Sequence, residues 1–145
     1  MPSVFVDTNL LLYVQDAAAP AKGTRALRWL EALTLRDEVL ISPQVVNEFI
    51  TVSLKRFRGL SRDEVHARAR ELLPWCRVAL DGETTALAMA VQTRYETSWW
   101  DALIVASALQ AGCRYLLSED LQPGMSFGTL TVINPFETTP EAILS

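Results

Sequence analysis

Four carboxylates stand where a fold of alternating strands and helices would concentrate its chemistry. Asp7 follows the apolar run Val4-Phe5-Val6, and Asp120 closely follows a second such run, Tyr115-Leu116-Leu117. Asp101 lies in the first turn of an apolar helix opened by Ser98, and Glu48 lies on a helix opened by Ser42-Pro43. Gathered in one apolar-walled cleft, four like charges could not all stay ionised without counter-charge. The chain has two lysines, Lys22 and Lys55, and neither is expected near a strand end. The natural compensation is a hard divalent cation, Mg²⁺ with Mn²⁺ as substitute, which takes carboxylate oxygens and keeps several waters. Two such ions would balance four acids. A pair of ions ~3.5–4 Å apart suits phosphodiester hydrolysis, because it activates water and steadies the leaving oxygen.

Each acid also has an ordinary reading. An acid in a first helical turn complements the helix dipole, which covers Asp101. Asp120 reads alone as a loop acid, and Asp7-Thr8-Asn9 as a capped turn after a strand. Glu48 shares a helix face with Val45 and Val52, though an isolated glutamate is most often solvated. The case for a site rests on the four together.

The elements that would position them follow in order. Short runs apolar on both faces are the pattern of buried parallel strands. Val4–Val6, Val39–Ile41, Arg77–Leu80, Tyr115–Leu117 and Leu130–Ile133 are the strand candidates. Helices are expected from near Asn9, over Thr24–Arg36, from Pro43 to about Arg58, from Ser61 to Pro74, from Asp81 to about Glu96, and from Ser98 to Gly112. Ser61 with Glu64 makes a capping box, and Gly112 stands where a left-handed residue ends a helix. Ala17–Gly23 reads as a loop, Leu121–Gly124 as a turn, and the tail from Glu137 as loose. The alternation defines an α/β fold, a three-layer α/β/α sandwich with a mostly parallel central sheet, over one domain of residues 1–145.

Composition narrows the class. Half of the 145 residues are hydrophobic and 21% are charged, as in a soluble globular protein. The start lacks the basic region and apolar run of a signal peptide, and no apolar run reaches the ~18–20 residues that span a bilayer. Cys76 and Cys113 form no CxxC pair, so reduced thiols in a cytoplasmic protein are expected. One histidine, His66, argues against a thiolate–imidazole zinc site. The formal charge of −4 disfavours nucleic-acid binding unless the acids are concentrated in one functional place. Six of the thirteen basic residues fall between Lys55 and Arg70: Lys55, Arg56, Arg58, Arg62, Arg68 and Arg70. They read either as a solvated helical hairpin or as a local phosphate-binding patch for RNA.

Four stretches, in order, carry a family resemblance: Val4–Asn9, Glu48 after Ser42-Pro43, Trp100–Ala108 and Leu116–Leu121. Together they resemble the PIN domain, a nuclease fold, and the short form resembles the VapC-type toxins of bacterial toxin–antitoxin pairs. The resemblance implies Asp7, Glu48, Asp101 and Asp120 as metal-binding catalytic acids. It implies that Ser118 supports them through its hydroxyl and that Asn9 orders the first turn, beside Thr8. It further implies an RNA substrate, a cognate antitoxin and a homodimer, with apolar surface near Trp29, Leu33 and Trp99 for partners.

Other classes fit less well. A dehalogenase-type phosphatase wants a second Asp two residues after the first, where this chain has Asn9, and a suitably placed lysine. A receiver domain wants a lysine near a late strand. A PIN-like module that binds RNA or protein without cutting remains the alternative of a different class. Metal-dependent RNA cleavage separates it from an enzyme.

Overall fold

The computed structural model describes residues 3–144. The reading of the extreme start, which rests partly on Met1 and Pro2, and the last residue of the tail, Ser145, lie outside the described residues. Five strands form one sheet in the order β2-β1-β3-β5-β4. They are β1 (Val4–Val6), β2 (Val39–Leu40), β3 (Tyr115–Leu117), β4 (Ser126–Phe127) and β5 (Leu130–Ile133). β1, β2, β3 and β5 run parallel, and β4 pairs antiparallel with β5 at one edge. Every residue of β1 is wholly buried, as expected for a strand with helices on both faces. Each such side chain contributes ~1.5–3 kcal/mol of burial.

Among the described residues, seven α-helices flank the sheet in an α/β/α arrangement: α1 (Thr8–Val14), α2 (Pro20–Leu35), α3 (Pro43–Arg56), α4 (Arg62–Leu72), α5 (Gly82–Tyr95), α6 (Trp99–Gln110) and α7 (Pro140–Ile143). Local chemistry sets most of their ends. Ser61 and Glu64 make a capping box at α4, as do Asp81 and Thr84 at α5. The Ser98 hydroxyl accepts from the Asp101 amide, and Gly112 follows α6 at φ +70°. From Ala102 to Ala108 every residue of α6 is buried, so this helix runs through the interior.

Several expectations are corrected. Arg77–Leu80 is no strand; only an isolated bridge joins Ile41 to Cys76. Arg77, Ala79 and Leu80 are exposed, so the segment has no face to bury against the two-residue β2. The edge strand β4 went unread because two residues carry no periodicity. α2 starts at Pro20 instead of Thr24, because proline fits the first turn, where its missing N–H costs nothing. Gly23 then passes the Tyr13 carbonyl so closely that a Cβ would lie 2.9 Å from its oxygen. The described tail is not loose. Glu141 pairs with Arg28 at 2.6 Å, Leu144 is buried, and the Trp29 indole donates to the Pro135 and Thr138 carbonyls at 2.9 and 3.1 Å. Trp29 and Leu33 are therefore core residues and offer no partner surface.

Candidate active site

The strand order creates the site. β2 lies on one side of β1 and β3 on the other, so the direction in which strands are added to the sheet switches at β1. Open α/β sheets form their ligand crevice beyond the carboxyl ends of strands at such a switch. Val6 is in register with Leu117, and the Asp7 amide donates to the Leu117 carbonyl at 3.0 Å. Asp7 and Ser118 therefore leave adjacent strands side by side.

Asp7 is buried and caps α1. Its carboxylate accepts from the Thr8 amide at 2.7 Å and from the Ser118 hydroxyl at 2.9 Å. Burial nevertheless pushes its pKa up to about 6; the two hydrogen bonds oppose this, and Asp120 and Glu48 add repulsion. Glu48 is half-buried on α3. Its carboxylate accepts from the Thr8 hydroxyl at 2.8 Å and from the Gln44 amide at 3.0 Å. Thr8 thus ties the first strand–helix turn to α3. Replacing Thr8 by Val keeps the shape but removes one of the two hydrogen bonds that hold Glu48, leaving only that from Gln44. Loss of an outer partner of a carboxylate site lowers its activity about ten- to a hundredfold; any activity of this crevice should fall by that much in Thr8→Val, with Thr8→Ser retaining most of it. A Thr8→Val protein of unchanged activity would remove Thr8 from the site.

Asp120 sits exposed on the rim, where its backbone N–H donates to Ser118 Oγ at 3.2 Å. Its pKa is raised by partial burial first, then by Asp101, Glu119 and Glu48, while Asn9 lowers it. The Asn9 amide is itself buried without a hydrogen bond of ordinary geometry among the described residues, so it steadies Asp120 through proximity. Asp101 is half-buried in the first turn of α6. Asp7, Glu48 and Asp120 thus repel one another's charge, and Asp101 acts on Asp120.

They do not form a ready-made cage: among the described residues, no three acidic, cysteine or histidine side chains are placed to hold one ion together. Asp7 and Glu48 are turned toward Thr8, Ser118 and Gln44. Each carboxylate offers about four lone-pair sites, so both keep acceptor capacity. The donor set is oxygen only, and a buried carboxylate is crowded by like charges. These residues fit a hard divalent cation.

Two neighbours escaped sequence reading. Gln44 lies one helical turn before Glu48, a local pattern that could have found it. Lys22, expected far from any strand end, forms an ion pair with Glu119 just after β3 and stacks over the Tyr13 and Phe136 rings at 4.7 and 5.0 Å. It crosses 97 residues, and its partner is Glu119, not the four acids. The basic cluster lies elsewhere. Lys55 and Arg56 follow Glu48 by seven and eight residues on α3, ~11–12 Å along the axis. Arg56 faces Asp16 at 3.6 Å, and Arg68 donates to Gln15 at 2.7 Å. Lys55, Arg58, Arg62 and Arg70 are exposed.

Fold and site together define an α/β domain with an acidic crevice at its topological switch. Residues 4–122 match the family model of the PIN domain, and the chain belongs to the PIN domain family. No curated protein matches the sequence significantly. Among solved structures, the chain is similar to a toxin–antitoxin complex from Klebsiella pneumoniae (TM-score 0.64, 17% identity, covering 92% of this chain and 98% of that one). It is similar to the sarcin–ricin loop cleaving toxin VapC20 of Mycobacterium tuberculosis (0.59, 24%, 81% and 92%). It is also similar to VapBC2 of Rickettsia felis, bound to a DNA fragment from their promoter (0.64, 16%, 89% and 96%). At these identities the likeness is one of fold.

Proposed function

We propose that this chain is a metal-dependent endoribonuclease that hydrolyses RNA phosphodiester bonds as the toxin of a toxin–antitoxin pair, in one domain over residues 1–145. The observation that carries the reading is the buried carboxylate of Asp7 at the strand switch, repelled by Asp120 and Glu48, with Asp101 in turn acting on Asp120. Family membership supports nuclease chemistry. Structural neighbours described as a toxin–antitoxin complex and as a sarcin–ricin loop cleaving toxin support the biological setting.

Asp7, Glu48, Asp101 and Asp120 would hold Mg²⁺ or Mn²⁺. A bound divalent cation supplies water activation and charge neutralisation in the transition state. The chain's own contribution is placement. Ser118 and the Thr8 amide fix the Asp7 carboxylate, Thr8 and Gln44 fix Glu48, and Asn9 steadies Asp120. Ser118 is no nucleophile, since its buried hydroxyl is given to Asp7. His66 lies on α4 and stands apart from the acids in the basic hairpin. Lys55, Arg58, Arg62 and Arg70 hold the RNA backbone, aided by Arg56 and Arg68 once they leave their present partners. Binding therefore weakens as salt rises.

Partners follow from the same reading: a homodimer, and a cognate antitoxin with a basic side chain that enters the acidic crevice and competes with metal. The protein works in the cytoplasm. Among the described residues, no helix is long and apolar enough to cross a membrane, Cys76 and Cys113 are free, and burial pushes the Cys113 thiol up to about 12. Incubating purified protein with total RNA, with Mg²⁺, Mn²⁺ or EDTA, and mapping the cut ends tests the proposal. Discrete cuts that need metal are expected. No cuts, or cuts unchanged in EDTA, would overturn it.

A further inference from the structure

Trp99, Trp100 and Asp101 leave α6 in three directions, ~100° apart. Trp99 packs against the core and the Asp101 charge acts on Asp120, while Trp100 remains 62% exposed. A large aromatic left in water beside other apolar groups marks a contact surface. Trp100 borders a cleft of about 440 Å³ whose walls include Glu48, Val52, Leu80 and Leu103. The cleft therefore combines a candidate metal ligand with the uncharged polar side chains of Gln44, Asn47 and Thr51 and an apolar remainder. It has no lysine or arginine in its lining, so it is not built to hold a phosphate.

Gln44 supplies a second, independent observation. Its Nε2 donates to Glu48 Oε1 at 3.0 Å and to the Trp100 carbonyl at 3.2 Å. Two acceptors on that nitrogen settle the orientation of the amide. Its Oε1 is then an acceptor, buried and without a hydrogen-bond partner, on a side chain only 8% exposed that also lines the cleft. Buried acceptors without donors are uncommon and costly.

We propose that the Trp100 shelf holds an unpaired nucleobase of the RNA strand cut at the four acids, stacked on the indole with its exocyclic amino group donating to Gln44 Oε1. This rests on the nuclease reading given above. An aromatic face accepts any base, so stacking gives affinity. The lone acceptor adds selectivity: adenine, cytosine and guanine offer it an amino group, whereas uracil offers only a ring N3–H flanked by two carbonyls that repel an acceptor. Stacking also demands a single strand, because a paired base has no free face.

Fluorescence anisotropy of labelled twelve-nucleotide oligoadenylate, oligocytidylate and oligouridylate tests this, using Asp7→Asn protein in Mg²⁺ so that binding is read without cutting. Oligoadenylate and oligocytidylate should bind about tenfold more tightly than oligouridylate. In that background Trp100→Ala should weaken oligoadenylate binding at least tenfold, within the range for a lost base stack, and equally at low and high salt. Trp100→Phe should retain most of it. Gln44→Leu should erase the preference over uridine. Equal binding by the Trp100→Ala protein would overturn the shelf, as would a Trp100→Ala change in oligomeric state by light scattering, which would make this face an interface between copies. If wild-type protein cuts total RNA but none of these oligonucleotides binds, the shelf falls and the nuclease reading stands. If wild-type protein cuts nothing, both fall.

Discussion

Asp7→Asn is expected to abolish RNA cleavage while making the metal-free protein more stable at neutral pH. The swap is nearly isosteric: an Asn oxygen can still accept from the Thr8 amide, and the Ser118 hydroxyl can rotate to accept from the new NH₂. The charge that a cation would need is gone. The stability half has a definite sign. The folded-state pKa of Asp7 is raised from 3.8 to about 6, so the folded protein keeps a proton that the unfolded chain has lost. That advantage is fully present below pH ~4 and is lost as pH rises through ~6. Above it, the ionised buried carboxylate costs on the order of 2–3 kcal/mol. Asp7→Asn removes that cost, so its Tm should exceed wild type by roughly 5 °C at pH 7.5 in EDTA and by little at pH 4. Thermal melts at the two pH values, beside a cleavage assay in Mg²⁺, check both halves. Wild-type cleavage by the variant would remove Asp7 from the site. A variant less stable than wild type at pH 7.5 would mean that its hydrogen bonds outweigh its burial.

The second large effect is expected at Trp29, far from the acids. Its indole is 1% exposed, and its N–H is shared by the Pro135 and Thr138 carbonyls. Trp29→Ala empties a large core volume and should cost ~3–5 kcal/mol. Trp29→Phe keeps most of the packing but leaves the carbonyls short of a donor, at ~1–3 kcal/mol. Urea denaturation measures both. Hydrogen exchange over residues 135–144 should rise in each variant, because this indole pins the chain that leads into α7. A Trp29→Ala protein of wild-type stability but altered oligomeric state would restore Trp29 to an interface role.

What the sequence determines is what neighbouring residues decide among themselves. Ser98, Ser61 with Glu64, and Gly112 punctuate helices through bonds and dihedrals that span a few residues. β1, β3 and β5 are legible because runs apolar on both faces have one economical place, the middle of a covered sheet. The place of Asp7 at the carboxyl end of β1 is legible because a strand's end is known once the strand is. Segments that short-range chemistry leaves open were misread, including the two-residue β4, the exposed Arg77–Leu80 and the tail from Glu137. The tertiary structure alone brings Thr8 to Glu48 across 40 residues, Ser118 to Asp7 across 111, and Lys22 to Glu119 across 97. It also decides that Trp29 is core while Trp100 faces water. Each of these depends on the order of strands in the sheet and the packing of helices over it. Those are set by the burial of the whole apolar surface at once, a quantity no short stretch of the chain contains.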